Sequence, residues 1–443
     1  MNTPICDFLN KYAASRPARF HMPGHKGESM LGFEALDITE VCGADVLYSP
    51  SGIILESENN ASQIFDTGHT FYSAEGASLA IRAMLAIVKA HSKKGRIIAA
   101  RNAHKSFIYA CALLDIEILW INSREDEHIC KSTVDLALLK EQILSLKKEL
   151  MAVYITTPDY LGNILPLGEI AAICTEFGLP LLVDNAHGAY LKFLNEDIHP
   201  ITLGAAMCAD SAHKTLPAIT GAAYLHISKG AKRGYIESAR EFLSLFASTS
   251  PSYLTLASLD NLNGILASDF KDRLSVTVKA VKGLKARLMQ NGIPIEESEP
   301  LKIVIKASEI GYTGDEIADL LRSKGIECEF SDKTVLVLMC SPGNNEEDYE
   351  KLASALIQLE KREKKEIILP KISRGKRALS LKEALFSEKE SVDLQSAEGR
   401  ICAGVCISCP PAVPIAICGE IIDGDTVNAL RFYGVEKIEV VSN

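Results

Sequence analysis

The chain has 443 residues, 47% of them hydrophobic and 23% charged, with a formal net charge of -10. That length gives two or three domains and ample apolar surface for a core, and the acidic balance argues against a nucleic-acid or anionic-membrane partner, either of which needs a basic patch. No stretch reaches the ~18 apolar residues of a membrane span, residues 1–20 lack the apolar segment of a signal peptide, and twelve cysteines in so long a chain are no small-domain disulfide framework, so a cytoplasmic location is expected.

In chain order, residues 1–50 are dense in Pro, Gly, His and charge and read as an N-terminal arm. From about residue 68, short apolar runs alternate with helical patterns. The spacing predicts a helix over 78–91, a strand over 96–100, an amphipathic helix over 134–150 and a strand over 152–156. A helix over 167–177 is closed by Gly178, then come strands over 180–184 and 221–227. Such alternation indicates a mostly parallel sheet covered on both faces, an α/β fold. A long helical stretch over 253–290 leads to a smaller α+β unit with strands at 303–306 and 334–339 and helices at 313–324 and 346–361. Residues 361–382 form a basic, polar linker, and the last unit contains a Pro-rich run at 409–414. The expected division is an arm (1–50), a large domain (51–290), a small α+β domain (291–370) and a C-terminal subdomain (371–443).

Chemistry concentrates at the strand ends. Lys214 follows a short apolar run and stands with Ser211, His213 and Thr215. A lysine there forms an imine if its surroundings lower its pKa, although an isolated Ser-x-His-Lys is more often a solvated loop. Asp184 ends an apolar strand, where a carboxylate either caps the next helix or holds a protonated pyridine nitrogen. His104 follows another strand and is either a loop histidine or a flat ring able to stack on a cofactor. Residues 73–78 open a helix whose free N–H groups and dipole suit a phosphate. Four such features at successive strand–helix junctions of one sheet point to pyridoxal phosphate (PLP), because ligands gather at the carboxyl ends of parallel strands.

These segments belong to a longer series of matches: Arg19 through His21, Met22, Pro23, Gly24, His25 and Lys26 to Gly27; Asp37 to Glu40; Gly43 to Asp45; Ser248 to Tyr253; and Pro410 to Pro414 followed by Gly419 and Glu420. Through them the chain resembles the ornithine/lysine/arginine decarboxylases of PLP fold type I, in their short form. The resemblance implies an aspartate-aminotransferase-like large domain with smaller α+β C-terminal parts. It implies decarboxylation of arginine, lysine or ornithine to the amine and CO2, linked to polyamine formation. Lys214 would be bonded to PLP, with His213 beside it as proton handler, Asp184 on the pyridine nitrogen and His104 on the ring. Ser211, Ser78 and the amides of Gly76 and Ala77 would hold the phosphate, and His187 joins the cofactor-binding set. Ser248, Thr249 and Ser250 would reach a neighbouring subunit's phosphate, which implies a homodimer or a higher oligomer, and Glu420 would hold the distal cation of the amino-acid substrate.

The chain departs from the family pattern at Ala77, where a Ser or Thr is frequent, and at Leu161, Asn185 and Cys418, in place of a frequent Asp, Glu and Pro. None of these removes a group that the imine chemistry needs. Rival readings are an aminotransferase or C–C lyase on the same fold, or a non-catalytic regulator, which would need neither Lys214 nor Asp184. Cys402, Cys406 and Cys409 have the spacing of a [4Fe–4S] motif. The prolines after Cys409 fit the decarboxylase pattern instead, so buried thiols and no metal are expected.

Overall fold

The computed structural model describes residues 1–121, 128–131, 133–360, 362–372, 375–407 and 413–442. The chain forms two compact units, each assembled from three stretches. The first comprises Met1–Gly95, Leu146–Ile155 and Leu167–Asp272; the second comprises Arg96–Ser145, Thr156–Pro166 and Arg273–Asn443.

In the first unit the strands lie in the order His69–Ser73, Ala223–Ile227, Met207–Asp210, Leu181–Asp184 and Leu150–Thr156. Leu181–Asp184 and Met207–Asp210 run parallel, with Asp184 opposite Ala209. Ala223–Ile227 is antiparallel to both of its neighbours. The three strands from Leu181 to Ile227 are buried along their whole length, which explains their continuous apolar runs. The helix Gly76–Ala90 buries Leu79, Ile81, Met84, Leu85, Ile87 and Val88 among others. It packs against both Met207–Asp210 and Ala223–Ile227 on one side and the helix Arg233–Phe246 on another, so it is apolar nearly all round.

The helix Leu167–Glu176 ends as its sequence demands. Gly178 has φ +66°, its N–H donates to Thr175 O at 3.0 Å, and the Leu179 N–H donates to Cys174 O at 2.9 Å, which satisfies two terminal carbonyls. The single helix expected over 253–290 is two, Tyr253–Leu266 and Phe270–Gln290. The break falls at Ser268, whose hydroxyl donates to Ile265 O at 2.9 Å and so competes with helix continuation.

The arm at 1–50 contains the helix Pro4–Ser15. Its first-turn amides, Ile5 and Cys6, both donate at 2.9 Å to one carboxylate oxygen of Asp260, a residue of the distant helix Tyr253–Leu266. A buried acceptor there satisfies two donors that a helix cannot satisfy itself and suits the positive end of the helix dipole.

The second unit holds the parallel pair Arg96–Ala99 and Glu117–Trp120. It also holds an antiparallel sheet in the order Phe330–Ser331, Val335–Met339, Lys302–Lys306, Ile295–Glu296. The helices Gly314–Ser323 and Glu346–Ile357 start with reciprocal capping boxes, Thr313 with Glu316 and Asn345 with Asp348. Ile303, Ile305, Leu336, Leu338, Leu352 and Leu356 belong to their shared core. Further on, Lys389–Asp393 pairs with Lys437–Val441, and a separate apolar cluster includes Cys402, Ile415, Leu430 and Val440. Among the described residues no helix is long and apolar enough to cross a membrane.

Candidate active site

Asp184 closes a strand of four buried residues and is itself 2% exposed. Tyr154 Oη donates to its Oδ2 at 3.3 Å and the Ala186 N–H to its Oδ1 at 3.1 Å. Burial pushes this carboxyl above its ordinary pKa, while the Lys214 ammonium and the two hydrogen bonds pull the other way. Lys214 lies in the short helix Ala212–Thr215 just past the parallel neighbour of Asp184's strand. Its Nζ is 3.1 Å from Nε2 of His187, a buried residue on the loop that follows Asp184. His213 places Nδ1 3.0 Å from Ala222 O. One unit therefore brings Lys214, His187 and Asp184 to adjacent strand ends.

The helix Gly76–Ala90 opens without a side-chain cap from its N-cap residue Glu75. Gly76 has φ +70° and Gly221 φ +94°; a Cβ on Gly221 would lie 3.2 Å from Ala74 O. Only glycines allow this close, left-handed approach. The Gly76 N–H donates to Gly221 O at 2.8 Å, so of the two amides assigned to a phosphate this one is already engaged. Ala77 and Ser78 occupy the next two positions of the first turn. Ser211 is buried at the start of its own short helix. Ser248, Thr249 and Ser250 are exposed, and the Ser248 N–H donates at 2.6 Å to Glu75 of the same chain.

In the second unit, His104 caps the helix Lys105–Leu113: Nδ1 accepts from the Ser106 N–H at 3.2 Å and lies 2.8 Å from Ser106 Oγ. Glu420 is 7% exposed, and its Oε2 accepts from Arg101 Nη2 at 3.1 Å and from the Ile417 N–H at 3.0 Å. Burial raises its pKa and the Arg101 guanidinium opposes that. Cys402 and Cys406 are free thiols; burial pushes Cys402 well up and Cys406 to about 11, which disfavours the thiolates a metal needs. Cys409 and residues 410–412 of the Pro-rich run lie outside the described residues.

Two features escaped the sequence. Tyr154, fully buried in the strand Leu150–Thr156, has no signature beyond a hydroxyl in an apolar run. Asp210, His199 and His226 form a buried cluster in which His199 Nε2 lies 2.9 Å and His226 Nε2 3.3 Å from Asp210 Oδ2. Its only sequence signal is a carboxylate and an imidazole inside otherwise apolar strands, with a second imidazole, His199, on the loop before one of them. Among the described residues, His199, Cys208 and Asp210 are also the one group with mutual distances short enough for a shared metal. The Cys208 thiol donates to Asp210 Oδ1 at 3.0 Å and is pushed well up by burial, so hydrogen bonding accounts for the cluster.

A model of the Orn/Lys/Arg decarboxylase major domain matches residues 3–307. The chain belongs to this family. The decarboxylase is 30% identical to the arginine decarboxylase of Bacillus subtilis (strain 168), over 96% of this chain and 92% of that one. Among solved structures it is similar to the constitutive lysine decarboxylase of E. coli (TM-score 0.78, 18% identity, 100% of this chain and 82% of that one). It is also similar to the lysine decarboxylase of Francisella novicida (TM-score 0.80, 17% identity, 99% and 81%). The fold is PLP fold type I, shared more distantly with a serine palmitoyltransferase. The protein is an amino-acid decarboxylase of this class.

Proposed function

We propose that this decarboxylase removes the α-carboxylate of a basic amino acid, arginine first, with PLP bonded to Lys214. The observation that carries the reading is the trio at adjacent strand ends: Lys214 Nζ 3.1 Å from His187 Nε2, with Asp184 buried nearby and feeling the lysine's charge. The donor set fits PLP. It offers an amine for covalent attachment, a buried carboxylate at the neighbouring strand end, and a helix N-terminus without a side-chain cap from its N-cap residue. Thr215 Oγ1 and Asn185 Oδ1 are buried there without a partner among the described residues. Arginine is supported by the B. subtilis relative, named an arginine decarboxylase and aligned along nearly the whole chain.

When bound, PLP supplies an electron sink for the pair left behind as CO2 departs. Asp184 keeps a proton at the pyridine nitrogen, and Tyr154 and the Ala186 N–H orient its carboxylate. The uncapped turn at Ala77 and Ser78, with Ser211, receives the phosphate, and His104 is the ring-stacking residue. Lys214 Nζ or His213 returns the proton to the substrate's α-carbon, and Glu420 holds the distal cation. The enzyme acts as a homodimer or larger assembly, with Ser248 to Ser250 at a neighbouring subunit's phosphate, in the cytoplasm, where its amine product feeds polyamine formation. The described cysteines are all free, which supports that compartment.

Incubation of purified protein with single amino acids tests the reaction. CO2 together with agmatine, cadaverine or putrescine supports it and identifies the substrate; an α-keto acid, or no product from any basic amino acid, overturns it.

A further inference from the structure

Asp210 is the last residue of a buried strand, one position before Ser211 and four before Lys214, and is 0% exposed. Its carboxylate is surrounded. Asn185 Nδ2 donates to Oδ1 at 2.8 Å and Cys208 Sγ at 3.0 Å. His199 and His226, both fully buried, face Oδ2 at 2.9 and 3.3 Å. His226 Nδ1 continues to Thr70 Oγ1 at 2.9 Å, and Thr70 Oγ1 to Thr67 Oγ1 at 2.8 Å. A buried carboxylate with two imidazoles is costly to desolvate, and apolar packing of the same volume often stabilises a fold at least as well. The cluster therefore calls for a purpose beyond filling the core.

Its position supplies one. Asn185 directly follows Asp184, and Ser211 directly follows Asp210. The Asn185 N–H also donates to Ala209 O at 3.0 Å, so side chain and backbone both bind the end of one strand to the end of the next. We propose that Asp210 is a positioning residue for decarboxylation: by gripping Asn185 while His199 and His226 immobilise it, it fixes the separation between Asp184 and Lys214. This rests on the reading that those two residues hold PLP. A cofactor bonded at one point and hydrogen-bonded at another has a set span, and misplacement by about 1 Å is enough to cost on the order of 100-fold in rate.

The test uses full-length holoenzyme. Wild type is first reduced with borohydride and mapped; label absent from Lys214 would refute the cofactor reading itself, separately from the clamp. Asp210→Asn, Asn185→Ala and the exchange Asn185→Asp with Asp210→Asn are then compared by kcat, KM, PLP affinity and visible circular dichroism of bound PLP. Expected for each single variant is a kcat loss on the order of 10- to 100-fold, KM within about two-fold, and an altered cofactor dichroism. The exchange rebuilds the bond with donor and acceptor reversed, and should recover much of the loss. Folded Asp210→Asn with kcat and dichroism within two-fold of wild type overturns the proposal. So does an exchange variant that folds and recovers nothing. Where Asp210→Asn does not fold, Asn185→Ala decides in the same way, because it releases the clamp and leaves Asp210 with its histidines.

Discussion

Nζ of Lys214 lies 3.1 Å from Nε2 of His187, across the gap between two strand ends. An ammonium is a donor only, so a charged Lys214 donates to the imidazole nitrogen. On the proposed attachment of PLP to Lys214, the lysine stands beside an imidazole placed to take its proton.

Borohydride reduction of PLP-loaded protein should place the pyridoxyl group on Lys214, read by peptide mass mapping. Label on Lys105 would move the attachment point to the His104 segment. Lys214→Ala should keep its far-ultraviolet circular dichroism and drop turnover to background.

Asp184→Asn should lower turnover by ~100-fold or more, the scale for losing one well-placed polar group at developing charge. Stability should move the other way. Burial raises the Asp184 carboxyl pKa, so its contribution to stability is greatest in acid, below the ordinary carboxylate range, and is lost as pH rises through the raised value. Apo Asp184→Asn should therefore melt above apo wild type at pH 7 to 8, with the advantage vanishing toward pH 4. Equal melting across that range would mean that Asp184 is not strained by burial.

Glu420 has two partners to satisfy. Glu420→Gln takes a carboxylate away from the buried Arg101 guanidinium, which should lower the melting temperature, and should raise KM for the basic substrate more than it lowers kcat. Adding Arg101→Met should restore the melting temperature and leave KM high. A double variant with ordinary KM would confine Glu420 to holding Arg101.

Shared sites can be tested by subunit exchange. Lys214→Ala disables a subunit's own site, and Ser250→Asp should disable its neighbour's by placing a carboxylate near the phosphate. Refolded together as random two-fold dimers, about half would be hybrids, each with one intact site, giving roughly a quarter of wild-type activity. Activity that stays at zero after verified exchange would make each site self-contained, an outcome that the Ser248 bond to Glu75 of its own chain makes worth separating.

What could be read in advance follows from where the physics is local. Gly178 closed its helix because a left-handed residue is needed there and glycine adopts it freely. The strand ending at Asp184 was legible because a buried strand is a continuous apolar run, and the charged residue at its end stands out. The break at Ser268 was not legible, because helical periodicity continues through it while local hydrogen bonds to Ile265 O close the first helix. Tyr154, His199 and His226 stayed hidden for a different reason: each acts through a partner remote in sequence, and no local pattern encodes which strand will lie beside which. The Gly76 amide, expected at a phosphate, is taken by Gly221, a pairing that likewise depends on tertiary closure.

The hydrogen bonds from Ile5 and Cys6 to Asp260 set a timetable for synthesis. The amides of Ile5 and Cys6 have no Asp260 to donate to until about 255 residues more have been added, and at ribosomal rates of ~5–20 residues per second that interval is roughly 10 to 50 s. Through that time the exposed turn of this helix is available to chaperones or to a neighbouring nascent chain. A copy truncated before residue 260 should leave its first helix open to protease, while the full chain protects it.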